Sequence, residues 1–267
     1  MIVSALDQAA DPSLDATICS RHFQRAENGP LQEVMFRLAN SDGQRSNAQF
    51  LLNQIYARKG FGSNHSFARS QKSSTFIASV EDYIFGTLTL TADSSDGLGL
   101  DSTFRDEIDY FRATARLDIC ELTKFAFDPS PRSRPLLAAL FHIIYIYGVS
   151  HLNCSDLLIE VNPRHVRFYE TMLGFSKVGA PRTNRHVCAP AQLMHITVDQ
   201  VSESIRMLAG KQTPGERSLY PYFFSPAEEA GIRTRLAREN GLGRTNDVTS
   251  LGSTLAVPGP SSRQKVH

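Results

Sequence analysis

The sequence has no tryptophan, only four cysteines and almost no net charge. The cysteines (Cys19, Cys120, Cys154 and Cys188) are scattered without CxxC spacing, which excludes a disulfide framework or a zinc site as the organising feature. The formal net charge is +1, so no overall field favours nucleic acid. We expect reduced structural cysteines, no metal and no nucleic-acid partner.

Long apolar runs are also missing. The longest, from Pro135 to Val149, is about five residues short of a membrane span. The first residues, MIVSALDQAADPSLDAT, lack the basic region and apolar core of a signal peptide. With 41% hydrophobic and 21% charged residues, the composition is that of a globular protein. We expect a cytoplasmic protein with no transmembrane segment, in which the apolar run forms a buried helix.

Changes in composition predict four segments along the chain. Residues 1–30 are polar and weakly periodic, which predicts a loose leader. Residues 31–198 alternate strand and helix patterns and should form one domain, with helices over 199–240 packing on it. Residues 241–267 are rich in Gly, Ser, Thr and Pro and predict a disordered tail.

The most informative stretch is DLLIEVNPRHVRFYETMLGFSKVG, residues 156–179. The apolar run 157–161 predicts a buried strand, which Asn162-Pro163 ends because proline lacks a backbone donor. A helix with Tyr169 inside follows, and Gly174 stands where a left-handed helix C-cap needs glycine. A further strand begins at Phe175. From the pattern alone, this is either a functional unit or an ordinary βαβ unit with a core tyrosine.

A second strong strand precedes it at 117–127 and is followed by an apolar helix at 136–147. The unit at 156–179 resembles the second half of the GCN5-related N-acyltransferase fold. The run ELTKFA, starting at Glu121, is similar to a strand of acyl-homoserine lactone synthases. Together with IASVEDYIFGTLTLTADSSDGLGLD and RSLYPYFFSPAEEAG, these segments most resemble bacterial long-chain N-acyl amino acid synthases over roughly 31–236. The resemblance implies an α/β (α+β) fold, a mixed central sheet flanked by helices, with a C-terminal helical extension.

The resemblance implies transfer of a fatty acyl group from an acyl carrier protein thioester to an amino acid or similar small amine. Amines are mostly protonated at neutral pH, so a base must remove a proton before attack. Glu121 is the candidate base, because a charge within an apolar strand is costly to bury without a partner. Tyr169 is the candidate acid for the departing thiolate. The alternatives are a solvent-facing glutamate and a packed core tyrosine.

Other residues are candidates for binding the substrates. Strict alternation along the strand places the odd-numbered side chains on the face of Glu121. These are Thr123, Phe125 and Phe127. Lys124 would then face away and meet Glu121 only if the strand bulges. At the next strand end, Asn162, Arg164 and His165 could hold a carboxylate or phosphate, although Arg164 could equally pair with an acidic neighbour.

The loop before the apolar helix bears on the acyl donor. Acetyl-coenzyme A-dependent relatives carry Arg/Gln-x-x-Gly-x-Gly/Ala there, whereas residues 132–138 (RSRPLLA) contain no glycine. This argues against tight coenzyme A binding. Arg132 and Arg134 could instead meet the single phosphate of a carrier-bound phosphopantetheine. We therefore predict no tightly bound cofactor, acyl carrier protein as partner, and acyl-phosphopantetheine or acyl-coenzyme A as co-substrate.

Two alternatives remain open. One is an enzyme similar to acyl-homoserine lactone synthases, although the N-terminal aromatic pattern expected of that family is not evident. The other is a non-catalytic domain of the same fold that binds acyl chains or a protein partner. In that case the side chain of Glu121 should turn away from any cavity.

Overall fold

The strands of this chain form a single mixed sheet with helices on both faces. The structure is a computed structural model and describes residues 17–24, 30–67, 72–128, 134–211 and 214–246. Its strands are β1 (Thr17–Gln24), β2 (Leu31–Leu38), β3 (Ser73–Val80), β4 (Tyr83–Ala92), β5 (Asp118–Phe127), β6 (Cys154–Val161), β7 (Ser176–Asn184) and β8 (Ala189–Thr197). Its helices are α1 (Asp42–Arg58), α2 (Asp101–Thr114), α3 (Arg134–His151), α4 (Val166–Leu173), α5 (Val198–Leu208) and α6 (Pro226–Asn246). The predicted mixed sheet with a C-terminal helical extension is confirmed.

The sheet order is β1-β2-β3-β4-β5-β6-β8-β7, and β5 and β6 form its parallel pair. Their pairing runs from Asp118↔Cys154 to Leu122↔Ile159 and stops there, although β5 continues to Phe127. β6 ends at the predicted Asn-Pro break, where the Asn162 side chain accepts the first amide of a short 3₁₀ turn. The two strands therefore part and leave a gap in the middle of the sheet.

The two faces of the sheet are covered by different helices. On one face, α1 packs on Ile77 and Ile84, while α2 packs on Ile119 and Leu158. On the other face, α3, α5 and α6 share a single apolar cluster with β4, β5 and β6. Because α3 is apolar nearly all round, it is buried on several sides, as its sequence predicts.

Several helix ends match the local signals in the sequence. Ser41 caps α1 and Thr197 caps α5, each in a reciprocal capping box with the glutamine three residues later. Gly174 ends α4 in the left-handed region with a φ of 81°, a conformation that costs glycine little.

The predictions for the two ends of the chain are partly wrong. Residues 17–24 are not a loose leader, because β1 pairs antiparallel with β2 and buries Ile18 completely. Residues 241–246 are not disordered, because α6 continues to Asn246. Residues 1–16, 25–29 and 247–267 lie outside the described residues. No helix in the described part of the chain is both long and apolar enough to cross a membrane.

Candidate functional site

A bulge in β5 decides which side chains face the gap. The register of β5 with β4 shifts between the pairs made by Thr87 and Thr89, and Lys124 adopts a left-handed φ of 53°. The Thr87 hydroxyl donates to the Lys124 carbonyl oxygen at 2.9 Å and holds this conformation. The alternation of side chains is therefore interrupted at this point of the strand.

The bulge overturns the prediction based on strict alternation. Phe125 and Phe127 do not share a face with Glu121, since both pack with Leu122 in the apolar cluster on the α3 face of the sheet. Lys124 instead lies close enough to Glu121 to lower the pKa of that carboxyl. The bulged strand, which was the condition for Lys124 to approach Glu121, is therefore present, although the described residues show no ion pair between the two side chains.

A cavity of about 700 Å³ lies where β5 and β6 part. Glu121 lines it from one face of the sheet, and Leu122 and Phe141 line it from the other, so the cavity passes through the gap. Its further walls come from the end of α1, from α4, and from the turn between β7 and β8. Among the residues lining these walls are Tyr56, Lys59, Phe168, Tyr169, Asn184 and His186.

Most of the predicted site residues meet at this cavity. Those that line it are Glu121, Thr123, Phe125, Asn162, His165 and Tyr169. Phe127 is not among the lining residues and packs edge to face on Phe85, with ring centroids 5.5 Å apart. Arg134 is exposed at the start of α3. Arg164 is exposed outside the cavity, with its Nε 3.3 Å from Nε2 of His165. Arg132 lies outside the described residues.

Glu121 is a buried carboxylate held by backbone amides. Its side chain is only 4% exposed, and the Gly99 amide donates to Oε2 at 2.7 Å. Burial raises the pKa of Glu121 to about 7, against the opposing effect of the Gly99 and Leu100 amides. The neighbouring Glu160 raises this pKa further. A carboxyl with a pKa near neutrality can accept a proton at the pH of the cell.

An arginine clamp fixes the loop that supplies these amides. The Arg112 guanidinium donates to both carboxylate oxygens of Asp93, at 2.7 and 2.8 Å, and to both of Asp101, at 2.7 Å. Asp101 in turn accepts the Leu98 amide at 2.7 Å. The loop that carries Gly99 is therefore held at both ends, and its amides fix the position of the Glu121 carboxylate.

The close approach of this loop to Glu121 leaves little room for a side chain at position 99. A Cβ there would lie 3.1 Å from Oε1 of Glu121 and 3.3 Å from Oε2. We expect Gly99→Ala to displace the carboxylate by a few tenths of an ångström and to lower kcat for the acyl transfer predicted from the sequence by roughly tenfold. The control is Gly43→Ala, because a Cβ at Gly43 meets nothing within 4 Å. Equal kcat values for the two variants would contradict this dependence.

Tyr169 and His165 approach the cavity from the break after β6. Burial raises the pKa of Tyr169, and the nearby Tyr56 raises it further, so its hydroxyl stays protonated at neutral pH. Burial lowers the pKa of His165, and Lys59 and Arg164 lower it further. The histidine is therefore mainly neutral in a cationic neighbourhood, while the tyrosine is a potential proton donor.

Sequence reasoning missed some residues of the cavity. Glu160 interrupts the apolar run of β6 in the same way that Glu121 interrupts β5, and this signal was available. Asn184, Tyr56 and Lys59 reach the cavity from distant segments, and no local pattern marks them. They could only be found once the sheet order was known.

Comparisons with known proteins converge on one family. The sequence profile of a family described as N-acyl amino acid synthase FeeM matches residues 47–197. The structure of FeeM, an N-acyl amino acid synthase from uncultured soil microbes, is 25% identical, covers 64% of this chain and 93% of its own, and has a TM-score of 0.58. A search of curated proteins found no match.

Two further solved structures show weaker similarity. The acyl-homoserine lactone synthase LasI is 14% identical over 62% of this chain and 91% of its own, with a TM-score of 0.48. Spermidine N-acetyltransferase from Vibrio cholerae, solved with coenzyme A and spermine, is 16% identical over 63% of this chain and 98% of its own, with a TM-score of 0.43.

Proposed function

This chain belongs to the FeeM family of N-acyl amino acid synthases and is an acyltransferase, and we propose that it moves a long-chain fatty acyl group from an acyl carrier protein thioester to the amine of an amino acid or similar small amine. One observation carries the proposal. Glu121, a buried carboxyl with a pKa of about 7, lines a cavity that passes between two parting strands. The non-catalytic alternative required this side chain to turn away from any cavity.

The proposed reaction begins with the acceptor as an ammonium ion. Ionised Glu121 takes one proton, and the amine lone pair attacks the thioester carbonyl carbon. The tetrahedral intermediate collapses as the carbon–sulfur bond breaks and its electron pair leaves on sulfur. Tyr169 protonates that thiolate and recovers the second proton from nitrogen. The products are an amide and a free thiol, and Glu121 returns its proton to solvent.

The tetrahedral oxyanion needs donors, and the parting of the strands supports a source for them. Beyond Leu122, β5 no longer pairs with β6. The backbone amides on the β6 side of β5 therefore face the cavity. Pre-positioned amides of this kind are an effective means of stabilising an oxyanion. We assign this role to the backbone around the bulge at Lys124, beside Thr123.

The apolar part of the cavity suits the acyl chain. On the α3 face, Leu122, Phe125, Phe141 and Ile159 line it, and the rings of Phe125 and Phe141 lie 5.5 Å apart. Burial of each methylene of the chain in such surroundings contributes roughly 0.8 kcal/mol. A chain of many carbons would therefore be held mainly by this wall.

The choice of donor rests on the start of α3, where a glycine-free segment would crowd a coenzyme A pyrophosphate. We expect palmitoyl-carrier protein to give a higher kcat/KM than palmitoyl-coenzyme A when both are offered to the purified protein with pooled amino acids. We also expect Arg134→Gln to raise KM for the carrier-bound donor several-fold, because an exposed cation near the docking phosphate is lost.

The control for the arginine is Arg206→Gln, which removes an exposed arginine of α5 that pairs with Glu203. Mass spectrometry of the amide product measures both donors in the same run. Faster turnover with the coenzyme A ester would overturn the carrier assignment and leave acyl transfer itself standing. Absence of product with either donor would count against the proposed reaction.

A further inference from the structure

Glu160 is a second carboxylate on the same wall as Glu121. On the parallel neighbour β6, the register partner of Glu121 is Leu158, and Glu160 follows two residues later. Because side chains alternate along a strand, Glu160 faces the side of the sheet that Glu121 faces. Both side chains line the cavity.

The orientation of Glu160 is fixed from outside β6. Asn184 at the end of β7 donates through Nδ2 to Oε1 of Glu160 at 2.5 Å. The direction of this bond is set by the following turn, since Oδ1 of Asn184 accepts the amides of His186 and Val187, at 2.8 and 3.3 Å. The Asn184 amide therefore has to present its NH₂ group to the carboxylate. Glu160 is thus held in place by a neutral partner.

Neither carboxylate has a lysine or arginine within ion-pair distance in the described part of the chain. The ionisable groups that act on the charge of Glu121 are Glu160 and Lys124, and the one that acts on Glu160 is His186. Burial raises the pKa of Glu160, although Asn184 and Thr103 oppose the shift by hydrogen bonding. A buried carboxylate beside a half-buried one, with no ion-paired lysine or arginine among the described residues, forms a site that is complementary to a positive charge.

We propose that Glu160 and Glu121 together form an anionic subsite that binds the ammonium group of the acceptor, with Glu160, positioned by Asn184, as its anchor. The inference rests on the proposed function, in which the acceptor arrives as an ammonium ion. Glu121 takes the proton and loses its charge, while Glu160 keeps the nitrogen beside the thioester. Glu160 is therefore a binding residue and Glu121 the catalytic base.

The test uses Glu160→Gln, which keeps an oxygen for Asn184 and removes the charge. The probes are phenethylamine and 2-phenylethanol, which differ in the charged group, titrated calorimetrically into the full chain at pH 7.5. We expect wild type to bind the amine at least tenfold more tightly than the alcohol, and the variant to bind the two within threefold of each other. Glu203→Gln, on the exposed face of α5, should retain the wild-type preference.

A second readout separates anchoring from a general structural role. Loss of the charge beside Glu121 should lower the acid-limb pKa of kcat/KM for acyl transfer, since like charges raise it. An unchanged acid limb, or an amine preference that survives in Glu160→Gln, would overturn the anchor. If wild type selects the amine but transfers no acyl group, the subsite stands and the proposed function fails. If transfer occurs without amine selection, the subsite fails alone.

Discussion

Glu121→Gln is expected to lower kcat/KM for acyl transfer at pH 7.5 by about 10² to 10⁴-fold, the usual contribution of a general base. Glutamine is nearly isosteric and can still accept the Gly99 amide, so the loop and the cavity should be preserved. What disappears is the group that takes the proton from the acceptor. The measurement is steady-state kinetics with palmitoyl-carrier protein and pooled amino acids, followed by mass spectrometry.

The pH dependence makes this prediction more specific. The pKa of Glu121 is about 7, so wild-type kcat/KM should rise through an acid limb near pH 7, where the carboxylate forms. The variant should lack that limb. Equal kcat/KM for wild type and Glu121→Gln across this range would contradict the assignment of the base, and Glu203→Gln serves as the control for loss of a remote carboxylate.

The Glu121 carboxyl that supports activity is expected to lower the stability of the fold as the pH rises. Since the folded-state pKa of Glu121 is raised from 4.5 to about 7, the unfolded chain loses its proton first as the pH rises. The contribution of Glu121 to stability is thus present below pH 4.5 and lost as the pH rises to about 7, by about 3 kcal/mol. Glu121→Gln should therefore gain stability relative to wild type across this window, which also shows that the inactive variant is folded.

Phe104→Ala is expected to lower the free energy of unfolding by about 3 to 5 kcal/mol. Phe104 is 0% exposed and packs with Ile108, Ile119 and Leu158 between α2 and the sheet. Its removal leaves a cavity that the rigid strands cannot close. The expected fall in melting temperature is roughly 10 °C for a chain of this size, measured by calorimetry or circular dichroism.

The matched control is Phe50→Ala in α1, because that ring is 70% exposed and its loss should change stability by less than about 0.5 kcal/mol. Because Phe104 supports the helix that begins just after the Gly99 loop, we also expect its variant to lose activity on heating before wild type does. A Phe104→Ala protein as stable as Phe50→Ala would show that α2 is not held by this packing.

The fold was predictable where local signals were strong. Asn162-Pro163 and Gly174 mark ends that proline and glycine enforce by themselves, and the structure confirms both. β1 was not predictable, because its pairing with β2 depends on burial of Ile18 rather than on any local turn signal. Long-range pairing of this kind leaves little trace in a short window of sequence.

The site was predictable in its chemistry and less so in its geometry. A glutamate inside an apolar strand marked Glu121, and the structure places it at the cavity. The bulge at Lys124 could not be predicted, because a left-handed φ is uncommon for lysine and no residue of ELTKF indicates a bulge. That one irregularity moved Phe125 and Phe127 to the other face. Glu160 interrupts the apolar run of β6 in the same way and could have been predicted, whereas its partner Asn184 lies on a different strand and could not.

The most direct test of the account is mass spectrometry of lipid extracts from cells that express wild type, Glu121→Gln or Glu203→Gln at matched levels. We expect long-chain N-acyl amino acids or N-acyl amines with wild type and Glu203→Gln, and none above background with Glu121→Gln. The same acylated amines from Glu121→Gln at wild-type abundance, or no new lipid from any of the three, would contradict it.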